Sequence, residues 1–151
     1  MNIESKKNLK ITIITVCYNS EKTIKTTLDS VANQTFEKIE HIIMDGKSTD
    51  QTISIVKKYP HVKKIISESD KGIYDAMNKG IKIATGDIIG FLNSDDFFAN
   101  DNVLSRVAFT FINNPNLQGC YADLIYTDKK DISKSIRYWK SSNFVSGLFS
   151  K

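Results

Sequence analysis

Apolar residues along this chain fall into two alternating periods. Lys10 to Cys17 is a run rich in β-branched side chains, broken by Asn19-Ser20, as expected of a strand covered on both faces. Ile24, Leu28 and Val31 follow at spacings of four and three; they predict an amphipathic helix, with Asn19 or Ser20 available as its cap. A second strand is predicted over residues 39–45. Ser48-Thr49-Asp50-Gln51 then has the spacing of a capping box, which starts the next helix at Thr49, puts Ile53 and Val56 on its core face and ends it at Pro60. Residues 62–67 read as a short third strand. Ile73, Met77, Ile81 and Ala84 repeat at helical spacing up to a stop at Gly86, and residues 87–93 again read as a buried strand. Val103, Val107 and Phe111 mark a helix after Asn100, and residues 119–126 resemble a fifth strand.

The resulting order, βαβαβαβαβ, predicts a Rossmann-like α/β domain whose mainly parallel sheet is covered by helices on both faces. A length of 151 residues suits one hydrophobic core. With 40% apolar and 25% charged residues, and only seven Gly and two Pro, neither disorder nor a fibrous repeat is indicated. The longest apolar stretches fall well short of the ~20 residues that cross a bilayer, and Met1 to Lys10 lacks the apolar core of a secretory signal. A cytoplasmic location is the expectation. Cys17 and Cys120 stand in no Cys-x-x-Cys or Cys/His cluster, and both read as reduced core thiols. The net charge of +4 suits an anionic partner or simple solubility. Because the lysines are scattered, a solvated surface and a membrane-facing patch both remain open. Periodicity weakens after Asp128, which divides the chain into a domain over residues 1–127 and the start of a further segment over 128–151.

Open parallel sheets bind ligands beyond the carboxyl ends of their strands. Here those ends carry Cys17-Tyr18-Asn19, Asp45-Gly46-Lys47-Ser48, Glu68-Ser69-Asp70 and Asn93-Ser94-Asp95-Asp96. Two adjacent carboxylates repel unless something neutralises them. A divalent ion such as Mg²⁺ or Mn²⁺, which takes one or two carboxylates plus substrate phosphates, would do so; a turn or helix-capping pair is the structural alternative. There is no Gly-x-Gly-x-x-Gly fingerprint, no Walker pattern and no Gly-x-Ser-x-Gly elbow. His41 and His61 lie far from any nucleophile motif and read as structural or surface residues.

Four segments, in order and each at a strand end, resemble glycosyltransferase family 2: residues 13–19 (IITVCYN), 43–50 (IMDGKSTD), 68–80 (ESDKGIYDAMNKG) and 86–96 (GDIIGFLNSDD). The resemblance implies a GT-A fold of inverting type and a nucleotide-sugar donor site. It implies that Val16 and Tyr18 line the nucleobase pocket and that Asp45 accepts a base N–H, for which uracil is suited. The family's Asp-x-Asp metal motif aligns on Asn93-Ser94-Asp95, so an amide replaces the first acid. Asp95 is then the direct ligand of Mn²⁺ or Mg²⁺, Asp96 its support, and Asn93 a partner for a ribose hydroxyl. Gly46-Lys47 stands where members often have Asp-Gly; Lys47 meets a phosphate or lies on the surface. Lys71 is placed to offset pyrophosphate charge and Asp70 to contact ribose or sugar, or else both begin a charged helical turn.

The family's general base normally comes from the acceptor-binding portion, so it is expected beyond Lys151; Asp123 is the remaining acidic candidate. Relatives carrying the 72–80 segment are associated with bacterial surface polysaccharide. The implied partners are therefore a nucleotide-sugar donor and a saccharide or lipid-linked saccharide acceptor, with peripheral contact at the inner membrane face and no nucleic acid. A binding domain that kept the fold without the chemistry is the rival reading. A phospho-accepting domain would need an acidic pair where Tyr18-Asn19 stand.

Overall fold

Seven consecutive buried residues make β1 (Ile11–Cys17) the central strand of a parallel sheet. The computed structural model describes residues 9–142. These form two units, 9–115 and 116–142, where the sequence pattern had placed a division at 127/128. In the first unit β1 lies between β2 (Ile39–Asp45) and β4 (Ile88–Phe91), and β3 (Val62–Ser67) pairs with β2, giving the order β3-β2-β1-β4. The chain thus builds outward from β1 and then returns to its other side. That reversal creates a topological switch point between the carboxyl ends of β1 and β4.

Alternation along β1 divides the core between the two faces. Ile11 and Ile13 pack with Val31 of α1 (Ile24–Ala32) and with Leu104 and Ala108 of α4 (Val103–Asn113). Cys17 on the same face packs with Ile24, Leu28 and with Val56 of α2 (Thr52–Val56). Ile14 and Val16 point the other way, to Ile42, Met44 and Ala76 of α3 (Ile73–Ile83). Each such aliphatic side chain contributes about 1.5–3 kcal/mol on burial. The sheet is therefore covered on both faces, as expected of an α/β fold. No helix among the described residues is long and apolar enough to cross a membrane.

Several local expectations need correction. The 48–51 segment does not start a helix at Thr49: Ser48 is turned to Asp45, Asp50 Oδ1 accepts from the Thr52 N–H at 2.9 Å, and α2 begins at Thr52. On α3 the buried face carries Ala76 and Gly80, whereas Ile73 and Ile81 are exposed. The cause is close packing, since a Cβ on Gly80 would lie 2.7 Å from Ile14 Cγ2. β4 is an edge strand with Ile89 and Phe91 exposed, rather than a fully buried one. Cys120 is exposed, and only Cys17 is a core thiol.

The amino-terminal end of the sheet is closed by a buried acid. Glu40 Oε2 accepts from Thr12 Oγ1 at 2.7 Å and from the Thr85 N–H at 2.8 Å. Its Oε1 accepts from Thr85 Oγ1 at 2.9 Å, with Lys64 and Lys10 at 3.5 and 3.6 Å. Burial opposes this charge, but the bonds from Thr12 and Thr85 and the charge of Lys10 hold the carboxyl down at about 2. Gly86 beside it approaches β1 so closely that a Cβ would lie 2.6 Å from Thr12 N.

In the second unit the expected fifth parallel strand is instead half of an antiparallel hairpin. β5 (Leu124–Thr127) pairs with β6 (Ser135–Trp139). Asp128 and Asp131 organise the connection: Asp128 Oδ1 accepts from the Lys130 N–H and Asp131 Oδ1 from the Ser133 N–H. Arg137 lies over Tyr126 and Trp139, with its guanidinium carbon 6.0 and 5.9 Å from the ring centres.

Candidate functional site

All four parallel strands of the first unit deliver polar loops to the same edge of the sheet, and hydrogen bonds between these loops define the candidate site. Asp45, the last residue of β2, is buried at 2% exposure. Its Oδ2 accepts from the Ser48 N–H at 3.0 Å and Ser67 Oγ at 2.6 Å, and its Oδ1 accepts from Ser48 Oγ and from Cys17 Sγ at 3.6 Å. Four donors use the four lone-pair positions a carboxylate has. Asp45 thereby ties the ends of β1, β2 and β3 together. Cys17 is held strongly towards its protonated form by burial and by the neighbouring Asp45 charge.

Gly46 lets the next loop come close. A Cβ there would lie 2.9 Å from Asp70 Oδ2 and 3.4 Å from Tyr18 Cδ2, so Tyr18, Gly46 and Asp70 form one cluster. Tyr18 is 62% exposed, with its ring open to solvent. Asp70 is fixed through Oδ1, which accepts the Gly72 N–H at 2.8 Å. Val16, by contrast, is buried against Ile14, Ile42, Met44 and Ala76, so it supports this region from within the core. Lys71 is exposed, and its N–H donates to Asp75 Oδ2 at 3.0 Å. Asp75 also pairs with Lys79, which holds Glu68 at 2.9 Å and so braces the loop into α3. Lys47 is exposed and has φ 66°, a left-handed conformation usual for glycine.

Across β1, the loop after β4 carries the acidic pair. Asn93 Nδ2 donates to Asp96 Oδ2 at 3.2 Å, while Asn93 Oδ1 is buried without a hydrogen-bond partner. Burial and the charge of Asp95 both push the Asp96 carboxyl upwards. Among the described residues no donor or cation contacts the Asp95 carboxylate. This turn is anchored from below: Thr27 Oγ1 of α1 donates to the Asp96 carbonyl at 2.7 Å, with the Asn93 carbonyl at 3.4 Å. Ser94, which is buried, meets Ser20 Oγ at 2.8 Å.

These features fit a divalent cation. Two adjacent carboxylates short of donors, and an orphaned amide oxygen beside them, are groups that a cation and its ligand would satisfy. Among the described residues no cluster of three or more His, Cys, Asp or Glu is placed for a metal. The protein's share would thus be one or two oxygens, the usual arrangement when phosphates complete the coordination.

Asp123 lies in the second unit and closes its hairpin. Its Oδ1 accepts from the Ser141 N–H and Oγ at 2.8 and 2.7 Å, and Oδ2 accepts from the Tyr138 hydroxyl. These bonds hold it at about 2, far below the proton affinity of a general base working near neutral pH. His41 is a buried structural residue, as expected, hydrogen-bonded to Thr15 Oγ1 at 2.9 Å and to His61 at 3.1 Å. The residues the sequence reading passed over are the hydroxyls that join the loops: Ser20, Thr27, Ser48 and Ser94. Their signal was available, since each hydroxyl but Thr27's sits within three residues of a strand end.

Residues 12–148 match the family model described as Glycosyl transferase family 2. The chain is 32% identical over 142 residues to the UDP-Glc:alpha-D-GlcNAc-diphosphoundecaprenol beta-1,3-glucosyltransferase WfaP of Escherichia coli, which covers 93% of this chain and 51% of that protein. It resembles the crystal structure of S. aureus TarS 1-349 in complex with UDP-GlcNAc with a TM-score of 0.66 and 30% identity, over 75% of this chain and 37% of that one. The mannosyltransferase PcManGT from Pyrobaculum calidifontis, solved in complex with GDP-Man and Mn2+, shares the fold with a TM-score of 0.66 at 22% identity, over 83% of this chain and 37% of its own. The chain spans about half the length of the curated relatives it matches.

Proposed function

The chain belongs to glycosyl transferase family 2, and from that membership we propose that it forms the donor side of an enzyme transferring a sugar from a UDP-sugar to a hydroxyl acceptor in polysaccharide biosynthesis. The observation that carries this reading is the convergence of the strand-end loops about one switch point. Tyr18, Gly46 and Asp70 cluster on one side of β1, and Asn93, Asp95 and Asp96 lie on the other. The UDP-GlcNAc complex of TarS supports the choice of a uridine donor.

The exposed Tyr18 ring offers a stacking face for the base. Because Asp45 is fully hydrogen-bonded within the chain, its part is to hold the 46–48 loop, and Asp70 Oδ2, packed over Gly46, takes the base N–H instead. Asn93 Oδ1 accepts a ribose hydroxyl, which ends its isolation. Lys71 adds positive charge near the diphosphate. Asp95, whose oxygens are free, holds Mn²⁺ or Mg²⁺, and Asp96, tied to Asn93, supports it. When bound, the cation would supply Lewis-acid neutralisation of the departing diphosphate. Transfer with inversion needs a base to take the acceptor hydroxyl proton; with Asp123 engaged in its hairpin, that base is assigned to the acceptor-binding portion. The second unit, 116–142, begins that part. The acceptor is a saccharide or lipid-linked saccharide at the membrane surface.

Thermal unfolding with UDP, GDP and dTDP, each with and without Mn²⁺, tests this reading. UDP should raise the Tm, more so with Mn²⁺, by the equivalent of about 2.7 kcal/mol at a hundredfold excess over Kd. In Asp95→Ala the Mn²⁺ increment should vanish. No shift with any nucleotide at millimolar concentration would refute a donor site.

A further inference from the structure

The acidic turn and the base-side loop belong to different strands, yet one chain of hydroxyls joins them. Ser94 lies between Asn93 and Asp95, and its Oγ is 2.8 Å from Ser20 Oγ. Ser20 Oγ in turn lies 3.2 Å from the Tyr18 carbonyl, which it can only approach as donor. A serine has a single O–H proton. With Ser20 donating to Tyr18, the Ser94 hydroxyl must donate to Ser20, and the direction of the whole chain is fixed: Ser94 to Ser20 to the Tyr18 backbone.

Its surroundings leave it little freedom. Ser94 is buried at 9% exposure. The Ser20 N–H donates to Thr52 Oγ1 at 2.8 Å, and Thr52 Oγ1 donates to Asp50 Oδ1 at 2.5 Å. Asp50 Oδ2 accepts the Glu21 N–H at 3.1 Å. Hydrogen bonds from Thr52 outweigh the effect of burial and keep Asp50 ionised. Asn19, between Tyr18 and Ser20, has φ 48° and is pinned from the other side: its N–H donates to Ser48 Oγ at 2.8 Å, and its Oδ1 accepts the Thr49 N–H at 2.9 Å. The loop from Tyr18 to Ser20 is thus rigidly mounted on β2 and α2. Among the described residues on the side of β4, only the Ser94 hydroxyl reaches across to it by a side-chain bond.

We propose that Ser94 and Ser20 are positioning residues that lock the Asp95 turn to the Tyr18 loop, so that the base and the cation on the phosphates of one nucleotide are bound cooperatively. This rests on the donor-site reading above. A rigid link lets occupation of one side order the other, which is a coupling between two ligands and is reciprocal. Without the link, the direct bond between cation and diphosphate still couples the two, but the part of the coupling that comes from one loop ordering the other is lost.

The test is a set of UDP titrations by calorimetry, each with and without Mn²⁺, on the chain as it stands and on Ser94→Ala, Ser20→Ala, the double variant and Ser94→Thr. In the unaltered chain Mn²⁺ should tighten UDP binding by about tenfold, within the usual range of such couplings. Ser94→Ala should reduce that enhancement to below about threefold while leaving metal-free UDP affinity within about twofold, with only the small fall in Tm that loss of one part-buried hydrogen bond brings. Ser20→Ala should do the same, the double variant should be no worse than either single one, and Ser94→Thr should restore the enhancement because it keeps the hydroxyl. An undiminished enhancement in Ser94→Ala overturns the proposal and leaves the donor site standing. So does an equal loss of UDP affinity with and without Mn²⁺, which would mark the serines as general supports. An unaltered chain that binds UDP with no Mn²⁺ enhancement removes the coupling alone, whereas one that binds no UDP removes the donor site with it.

Discussion

Glu40 and Asp96 lie at opposite ends of one sheet and behave in opposite ways. Glu40 is buried, accepts from Thr12 and Thr85, has two lysines beside it and is held at about 2. Asp96 is more open, has one amide donor and an adjacent acid, and is pushed up. One end of the sheet is finished within the chain, and the other lacks counter-charge. The difference separates an end of the sheet built for stability from the end at which we propose the donor binds.

Breaking the finished end should have the largest effect. Glu40→Ala leaves Thr12, Thr85 and two lysines without their acceptor and should cost on the order of 3–5 kcal/mol, read as a lower urea midpoint. Its charge also sets an acid limb. Because the folded pKa lies below the ordinary 4.5, the Glu40 contribution is complete above about pH 5 and is lost as pH falls towards 2. Glu40→Gln should therefore flatten the dependence of unfolding free energy on pH in that window. The buried His41, held at about 3 by burial and then by His61, loses stability between pH 6.5 and 3 in both proteins and cancels in the difference.

Changes at the open end should be smaller and of the other sign. Lys47→Gly relieves a left-handed φ of 66° and should stabilise the chain by about 1 kcal/mol in chemical denaturation. Asp96→Asn should stabilise the ligand-free chain by less than about 1 kcal/mol, since solvent screens the pair. The sign follows from its raised pKa, which makes ionised Asp96 a destabilising group at neutral pH. If either substitution lowered the urea midpoint, the open end would be as finished as the closed one and the contrast would fail.

Legibility in the sequence followed the same division. β1 and β2 are continuous apolar runs in the centre of a sheet, and their limits were plain. α3 was recognised as a helix, and of its expected apolar positions Met77 and Ala84 pack against the core whereas Ile73 and Ile81 do not; Ala76 and Gly80, which lie nearest the sheet, are too small to register in an apolar pattern. The fifth strand was assigned to the parallel sheet since nothing after Asp128 looked helical or extended. Asp128, Asp131 and Ser133 are turn-forming residues whose spacing would have announced a hairpin. At the site, Tyr18, Asp70 and the Asn93–Asp96 segment were legible as strand-end polar residues. That Asp45 is saturated by Ser48, Ser67 and Cys17 was not, since its three partners come from three different segments.

The sequence has two cysteines, and they differ in a way that is useful at the bench. Cys17 is sealed beneath Asp45 and resists ionisation strongly, whereas Cys120, although partial burial of its thiol also pushes it up, is open to solvent. A thiol reagent at mild pH should therefore modify the second unit alone. A fluorophore or spin label could then be attached there without mutagenesis, leaving Tyr18, Asp70 and Asp95 chemically untouched.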